Sequence, residues 1–349
     1  MIPQLATALV AAMLLLLVAL LVVPANNALA RFTRTASVPA NTFTTDTLDP
    51  PTGLTASGGA SITLSWTASA DAYASGHRVF RGTSSGGPYT QIAQVTPRTT
   101  TSYVDSPTPG TYYYVVRAYY QSWESANGNE ASASIAGITF RGPASAASAP
   151  SGTLSLTINR PSGTSVGDVM IASIAVRPNT ASITEPVGWT LVRRTDNASA
   201  NANSLAVYYK VATGSEPANY SWTFSTSTGS AGGIQTFSGV DTTNPIDVEN
   251  GQNTANGLTH ATPSVNTTVA NTMLVTSHGF TSSATWTPPA GMTEAFDVAS
   301  QAVPNAGGIA IEGNWAIQVA AGATGTKTAT ASNDSDVGNA HVLALKPAP

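Results

Sequence analysis

Two stretches of the chain spell G-x-S-x-G: Gly82-Thr83-Ser84-Ser85-Gly86 and Gly163-Thr164-Ser165-Val166-Gly167. That spacing activates a serine only when a strand precedes it and a helix follows, because the strained turn between them lifts the hydroxyl clear of the sheet. The first stretch sits among hairpin residues and the second runs into an apolar strand-like segment, so both are expected to be ordinary turns. The four histidines, His77, His260, His278 and His341, include no pair at the short spacings that metal sites use. His77 and His341 lie in strand-like runs, where a hydrogen-bonded wall position is expected. Cysteine is absent, which removes thiolate ligands, disulfides and thiol chemistry together.

The 18 carboxylates are dispersed. A glycosidase needs two of them across a cleft, and Glu185, Glu216, Glu294 and Glu312 are the positions to consider. Glu185 and Glu216 each precede a proline, and all four are expected on the surface. Asn333-Asp334-Ser335-Asp336 gathers oxygen ligands in one loop, so Asp334 and Asp336 are candidate Ca²⁺ ligands, without the glycine and distal glutamate of an EF-hand loop. Trp123 and Trp286 fall in predicted loops, where an indole face can stack on a sugar ring; they are the candidate ligand-binding residues. No catalytic residue and no cofactor is expected.

The elements that must position these groups are strands. Asp, Glu, Lys and Arg make up 9% of the 349 residues, against roughly 25% in an average soluble protein. The net charge is −4 and the 14 basic residues form no stripe, which argues against a nucleic-acid partner. Residues 5–23 form an apolar run interrupted only by Thr7, near the length that spans a bilayer. Pro24 and the small-x-small site Ala28-Leu29-Ala30 fit a cleaved export signal; retention of the same run would make it a membrane anchor, the one membrane contact expected. Residues 1–30 are therefore a signal peptide or anchor helix, residues 31–49 a Thr-rich linker, and the remainder is expected outside the cell or on its surface. Beyond residue 30 no sustained 3.6 periodicity occurs, and short alternating runs recur every 8–12 residues, the pattern of an all-β chain.

In residues 50–136, Ile62, Leu64 and Trp66 share one face of a strand, and Tyr112, Tyr114, Val116 and Ala118 form the row expected to be buried. Pro51-Thr52-Gly53-Leu54-Thr55-Ala56, the Trp66 strand and the run from Gly110 to Ala118 are similar to a fibronectin type III domain. The resemblance implies Trp66 as the core indole and Tyr112 as a corner tyrosine bonded to backbone. Upstream, Ala40-Asn41-Thr42-Phe43-Thr44-Thr45-Asp46 resembles the post-signal segment of SipW-cognate exported bacterial proteins.

A linker is expected over residues 142–152, and residues 137–349 contain a repeat. Val169-Met170-Ile171-Ala172 matches Thr272-Met273-Leu274-Val275, and Pro186-Val187-Gly188-Trp189-Thr190 matches Pro289-Ala290-Gly291-Met292-Thr293, both 103 residues on. Ile234-Gln235-Thr236-Phe237 matches Val342-Leu343-Ala344-Leu345 at 108. Halves of about 138–240 and 241–349 can close two sandwiches or interleave into one jelly roll. The second half is poor in aromatics after Trp315, which favours one interleaved, jelly-roll-like sandwich. With Gly167-Asp168-Val169-Met170, Glu185-Pro186-Val187-Gly188-Trp189 and Tyr209-Lys210-Val211-Ala212, the region also resembles a recurring exported β-sandwich module of unassigned function. The expectation is a non-catalytic exported surface protein, a spacer plus a binding or adhesion module whose partner is a polysaccharide or another envelope component. Two rivals remain: an enzyme or accessory module of polysaccharide degradation, and a structural subunit that self-assembles by exchanging a strand through residues 31–49.

Overall fold

The computed structural model describes residues 47–349 apart from 200, 201 and 334. The apolar run, the cleavage site, the Thr-rich stretch up to residue 46 and Asp334 lie outside the described residues. Among the described residues every regular element is a strand, and no helix is long and apolar enough to cross a membrane.

The first sandwich contains β1 (Thr52–Ser57), β2 (Ile62–Thr67), β3 (Gly76–Gly82), β4 (Thr90–Val95), β5 (Ser102–Asp105), β6 (Gly110–Tyr120), β7 (Trp123–Glu124) and β8 (Ala131–Ile135). One sheet has the order β1-β2-β5; the other runs β4-β3-β6, with β7 and β8 also paired to β6. Alternation explains the core: β2 buries Ile62, Leu64 and Trp66 and exposes the residues between them. Tyr112, Tyr114, Val116 and Ala118 are buried from β6; the first three join Leu54, Val79 and Ile135 in the main cluster.

No free linker follows. After β9 (Thr139–Phe140), residues 145–149 form β10 (Ser145–Ala149), an edge strand paired along its length with β17. The Ala/Ser composition that reads as a spacer is what a close-packed edge strand requires, since its partner is itself rich in Gly and Ala. The rest of this half is β11 (Ser155–Asn159), β12 (Val169–Arg177), β13 (Ile183–Thr184), β14 (Thr190–Asp196), β15 (Ser204–Val211), β16 (Asn219–Phe224) and β17 (Gly229–Ser238). The other half is β18 (Ile246–Gly257), β19 (Thr259–Ala261), β20 (Asn266–Thr267), β21 (Thr272–Phe280), β22 (Trp286–Thr287), β23 (Thr293–Ala299), β24 (Ala310–Gln318), β25 (Gly322–Ala323), β26 (Thr328–Ala331) and β27 (Asp336–Leu345).

The strands do not interleave. The large sheets are β10-β17-β12-β15-β14 and β18-β27-β21-β24-β23, and the small ones β11-β16-β13 and β19-β26-β22. Each sheet draws on one half, so two sandwiches form in place of the single jelly roll expected. The second half does not need a rich aromatic core of its own, because the two large sheets pack face to face. Val169, Ile171, Leu205, Val207 and Phe237 meet Met273, Val275, Ile311, Leu343 and Leu345 in one shared cluster. The result is four layers: small sheet, large sheet, large sheet, small sheet. Phe296 fills the space over Gly233 and Gly313, where an added Cβ would lie 2.5 and 2.3 Å from its ring.

Strand order is the same in both halves, and each carries a bulge at the same step, between Leu191 and Arg193 on β14 and between Glu294 and Phe296 on β23. Register corrects one spacing. Val169 pairs with Phe237 and Met273 with Leu345, and both face the shared core, so Val169 corresponds to Met273 and the interval there is 104. A slip of one residue would have turned the whole strand over. Ser173 and its counterpart Ser277 meet across the layers, with hydroxyls 2.6 Å apart.

Candidate functional site

Two places gather side chains capable of recognition or proton chemistry. The first is inside the second C-terminal sandwich, on the face of β21 and β24 turned away from the shared core. Thr276 pairs with Asn314 and His278 with Glu312, so four polar side chains share one inward patch. All four residues are fully buried. His278 Nδ1 lies 3.0 Å from Glu312 Oε1, and the Asn314 amide donates to the same oxygen at 2.9 Å. His278 Nε2 is 3.2 Å from the carbonyl of Lys327. Trp286, on β22, stacks edgewise against His260 and Phe280 and closes the patch from the opposite sheet. Glu312 Oε2 and Asn314 Oδ1 have no side-chain or backbone partner.

Electrostatics inside this sandwich favour neutral groups. Burial pushes the Asp297 carboxyl up to about 6; the nearby Glu294 and Glu312 push the same way, against the Trp286 N–H that bonds it at 2.9 Å. Burial lowers the His260 imidazole to about 4, and the neighbouring His278 adds to that. Its Nδ1 bonds the Thr254 hydroxyl at 2.5 Å. Glu294, at the rim, is raised by burial and by Glu312. A carboxyl group and an imidazole in hydrogen-bond reach are the parts of a proton relay, but Glu312 and His278 present no surface to a substrate.

The second place is the far tip of the first sandwich. β6 and β7 are joined by a two-residue turn, Gln121-Ser122, in which Gln121 adopts φ +52°, a region non-glycine residues rarely occupy. The turn sets Trp123 beside Tyr120, its cross-strand partner. Trp123 is 61% exposed, Tyr120 37% and Tyr73 42%. The Tyr73 and Tyr120 rings meet edge to face at 5.7 Å. Leu48, Ala74 and Ala118 form a small buried cluster beneath, which holds the loop carrying Tyr73 against β6.

The sequence-derived candidates divide accordingly. Trp123 presents its indole to solvent. Trp286 does not: it is 7% exposed and plugs the core, because its neighbours on the small sheet that carries it contribute only His260, Ala329 and Ala331 to the interior. Asp336 spends one carboxylate oxygen on Ser282 and the other on the Val337 N–H, and among the described residues no group of three His, Asp or Glu is arranged to hold a metal. Glu312 is an interior residue rather than the surface carboxylate expected; Glu216 caps its own loop, accepting from Thr213 N and from the Tyr220 hydroxyl. His77 Nδ1 lies 3.3 Å from the Thr100 carbonyl, and His341 bonds Glu249 at 3.0 Å. The G-x-S-x-G stretches are the β3–β4 loop and the turn leading into β12, each followed by a strand. The His278–Glu312 pair was missed because its members stand 34 residues apart, and only register makes them neighbours.

Trp66 packs edge to face on His77 at 5.5 Å within the first core, and the Tyr112 hydroxyl donates to the Thr108 carbonyl at 3.0 Å, four residues back. That corner tyrosine, on a sandwich of three strands against a larger sheet, decides the domain type. The chain carries a fibronectin type III-like domain. A Fn3-like protein from Clostridium thermocellum is 38% identical to this chain, over 26% of this chain and 96% of that one, with a TM-score of 0.23. The FN1–FN3 domains of chicken CNTN1 are 14% identical, over 52% of this chain and 62% of theirs, with a TM-score of 0.24. The chicken interferon gamma receptor alpha chain is 12% identical, over 50% and 82%, with a TM-score of 0.22. No family model and no curated protein matches the chain. The fibronectin type III-like domain is not a loose bead. Its Pro107 carbonyl accepts the Asn271 side-chain amide of the second half at 2.9 Å, at a buried contact.

Proposed function

We propose that this chain is a non-catalytic, exported surface protein in which the fibronectin type III-like domain is a fixed spacer and binding module for the four-layered body. The two halves of that body we read as products of one internal duplication. The observation that carries the proposal is a contrast of exposure. The groups competent for acid–base chemistry, His278 and Glu312, are sealed in an interior, whereas the aromatic side chains at the tip of the first sandwich stand in solvent. Export is supported by the apolar run of residues 5–23 and by the scarcity of charge. The test is incubation of the purified chain with polysaccharides and assay for newly formed reducing ends. None are expected, and their release would end the non-catalytic reading.

A polysaccharide-degrading activity has one observation in its favour. The Asp297 carboxyl is held near 6 beside Glu294 and Glu312, the kind of shift that a general acid requires. On that reading Asp297→Asn and the exposed Glu294→Gln should each abolish reducing-sugar release while leaving the fold intact.

A further inference from the structure

We infer that Tyr73, Tyr120 and Trp123 form a stacking platform for a neutral polysaccharide, which deepens the binding role proposed above and rests on it. Three aromatic side chains that each carry a polar atom are exposed together at one tip. Leucine or phenylalanine in their place would suit a purely apolar partner. Indole and phenol rings suit a ligand with apolar C–H faces and hydroxyl edges, which is the surface of a pyranose chain. The platform is also held ready. A strained turn at Gln121 presents Trp123, the edge-to-face contact fixes Tyr73 against Tyr120, and Leu48, Ala74 and Ala118 back the loop, so little ordering remains for binding.

Charge selects among hydroxyl-rich and apolar partners. Successive strand residues point to opposite faces, so Glu124, next to Trp123, turns away from the platform together with Tyr119. On that far face Glu124 takes both Arg78 and Arg117, the latter at 3.0 Å, and the two guanidiniums lie over the Tyr119 and Phe80 rings. Those cations are bound away from the platform. On the platform side, the loop bearing Tyr73 carries Asp71, whose carboxylate accepts the Asp49 N–H at 2.6 Å. An anionic polymer or an anionic bilayer would meet acidic side chains there, whereas the hydroxyls of a neutral glycan can donate to them.

The experiment is affinity electrophoresis of the full chain in native gels containing hydroxyethyl cellulose, arabinoxylan or galactomannan. Parallel arms use polygalacturonate gels and flotation with phosphatidylglycerol vesicles. Retardation by at least one neutral polymer is expected, with Trp123→Ala weakening it about tenfold or more and Tyr120→Ala by less. Leu191→Ala, on an exposed position of β14, should leave it unchanged. Both aromatic positions are exposed, and circular dichroism of the variants confirms folding. No retardation by any of the three neutral polymers overturns the platform. So does binding confined to polygalacturonate or vesicles, or retardation that survives Trp123→Ala. None of these outcomes bears on the absence of catalysis, which the reducing-end assay decides separately.

Discussion

The two C-terminal sandwiches share a strand order, a bulge and a common core, yet their interiors are opposites. In the first, Trp189, Tyr208, Tyr220 and Trp222 pack with Met170 and Ile174. In the second, the position matching Ile174 is His278 and the position matching Ala206, its cross-strand partner, is Glu312. Tyr208 corresponds in the same way to Asn314. The two halves keep the same layers while the residues the small sheets cover change from apolar to polar at these three positions. Face-to-face packing of the large sheets supplies both halves with apolar burial, which leaves the second interior free to hold polar groups.

The comparison can be broken from its apolar side first. Trp222→Ala should cost about 3–5 kcal/mol in denaturant unfolding, as expected for loss of a fully buried aromatic. A loss under 1 kcal/mol would mean that the first interior is not the tighter one. In the second interior, Glu312→Ala alone strips the buried His278 and Asn314 side chains of a partner and should cost about 1–3 kcal/mol. Replacing both members with the residues of the first half, His278→Ile with Glu312→Ala, should range from neutral to about 4 kcal/mol stabilising. If the double replacement is as harmful as the single one, the polar pair is a structural requirement and the two interiors are not interchangeable.

The pH dependence sharpens the contrast further. A carboxyl raised from 3.8 to about 6, as in Asp297, contributes stability that is present below about pH 4 and lost as the pH rises through 6. An imidazole lowered from 6.5 to about 4, as in His260, does the reverse, losing stability as the pH falls through that window. The two oppose each other between pH 4 and 6, so Asp297 offsets part of the acid sensitivity that the lowered imidazoles of His260, His77 and His341 give the parent chain. Asp297→Asn should gain about 2 kcal/mol at pH 7.5 and be more acid-sensitive than the parent below pH 6.5, because the lowered imidazoles of His260, His77 and His341 then titrate with less opposition. A flat profile in that variant would contradict the assignment.

The smallest effect is expected between the halves. Arg193 on β14 donates to both carboxylate oxygens of Glu249 on β18, at 2.7 and 2.9 Å. Burial alone would raise Glu249, but the bonds from His341 and Arg193 outweigh it and hold the carboxyl at about 2. Its contribution is present above about pH 4.5 and lost as the pH falls toward 2. Arg193→Ala should cost about 1 kcal/mol at pH 7, given its partial exposure, and less at pH 2.5.

Where local alternation decided the structure, the sequence was sufficient. Trp66 and the row from Tyr112 to Ala118 could be assigned to a core because period-two patterning settles which face is buried. The strand-like runs Val169 to Val176, Trp189 to Arg194, Leu205 to Val211 and Tyr220 to Phe224 likewise end within two residues of β12, β14, β15 and β16. β10 reads as a linker in sequence because Ser-Ala-Ala-Ser-Ala carries no hydrophobic signal. Its role depends on the glycine-rich strand it meets almost ninety residues later. The polar interior was invisible for the same kind of reason: His278 and Glu312 look unremarkable until register makes them partners. Trp286 and Trp123 are alike in sequence, and only the covering sheet distinguishes a plug from an exposed face.

The central claim is that the acid–base pair is sealed and the aromatic tip is open. Hydrogen–deuterium exchange of the full chain tests it most directly, by comparing β21 and β24 with β12 and β15. Equal, long-lived protection of all four strands, with rapid exchange at the Gln121-Ser122 turn, is the result expected. Exchange of β21 and β24 as fast as that turn would show the His278–Glu312 interior to be accessible, and would contradict the account.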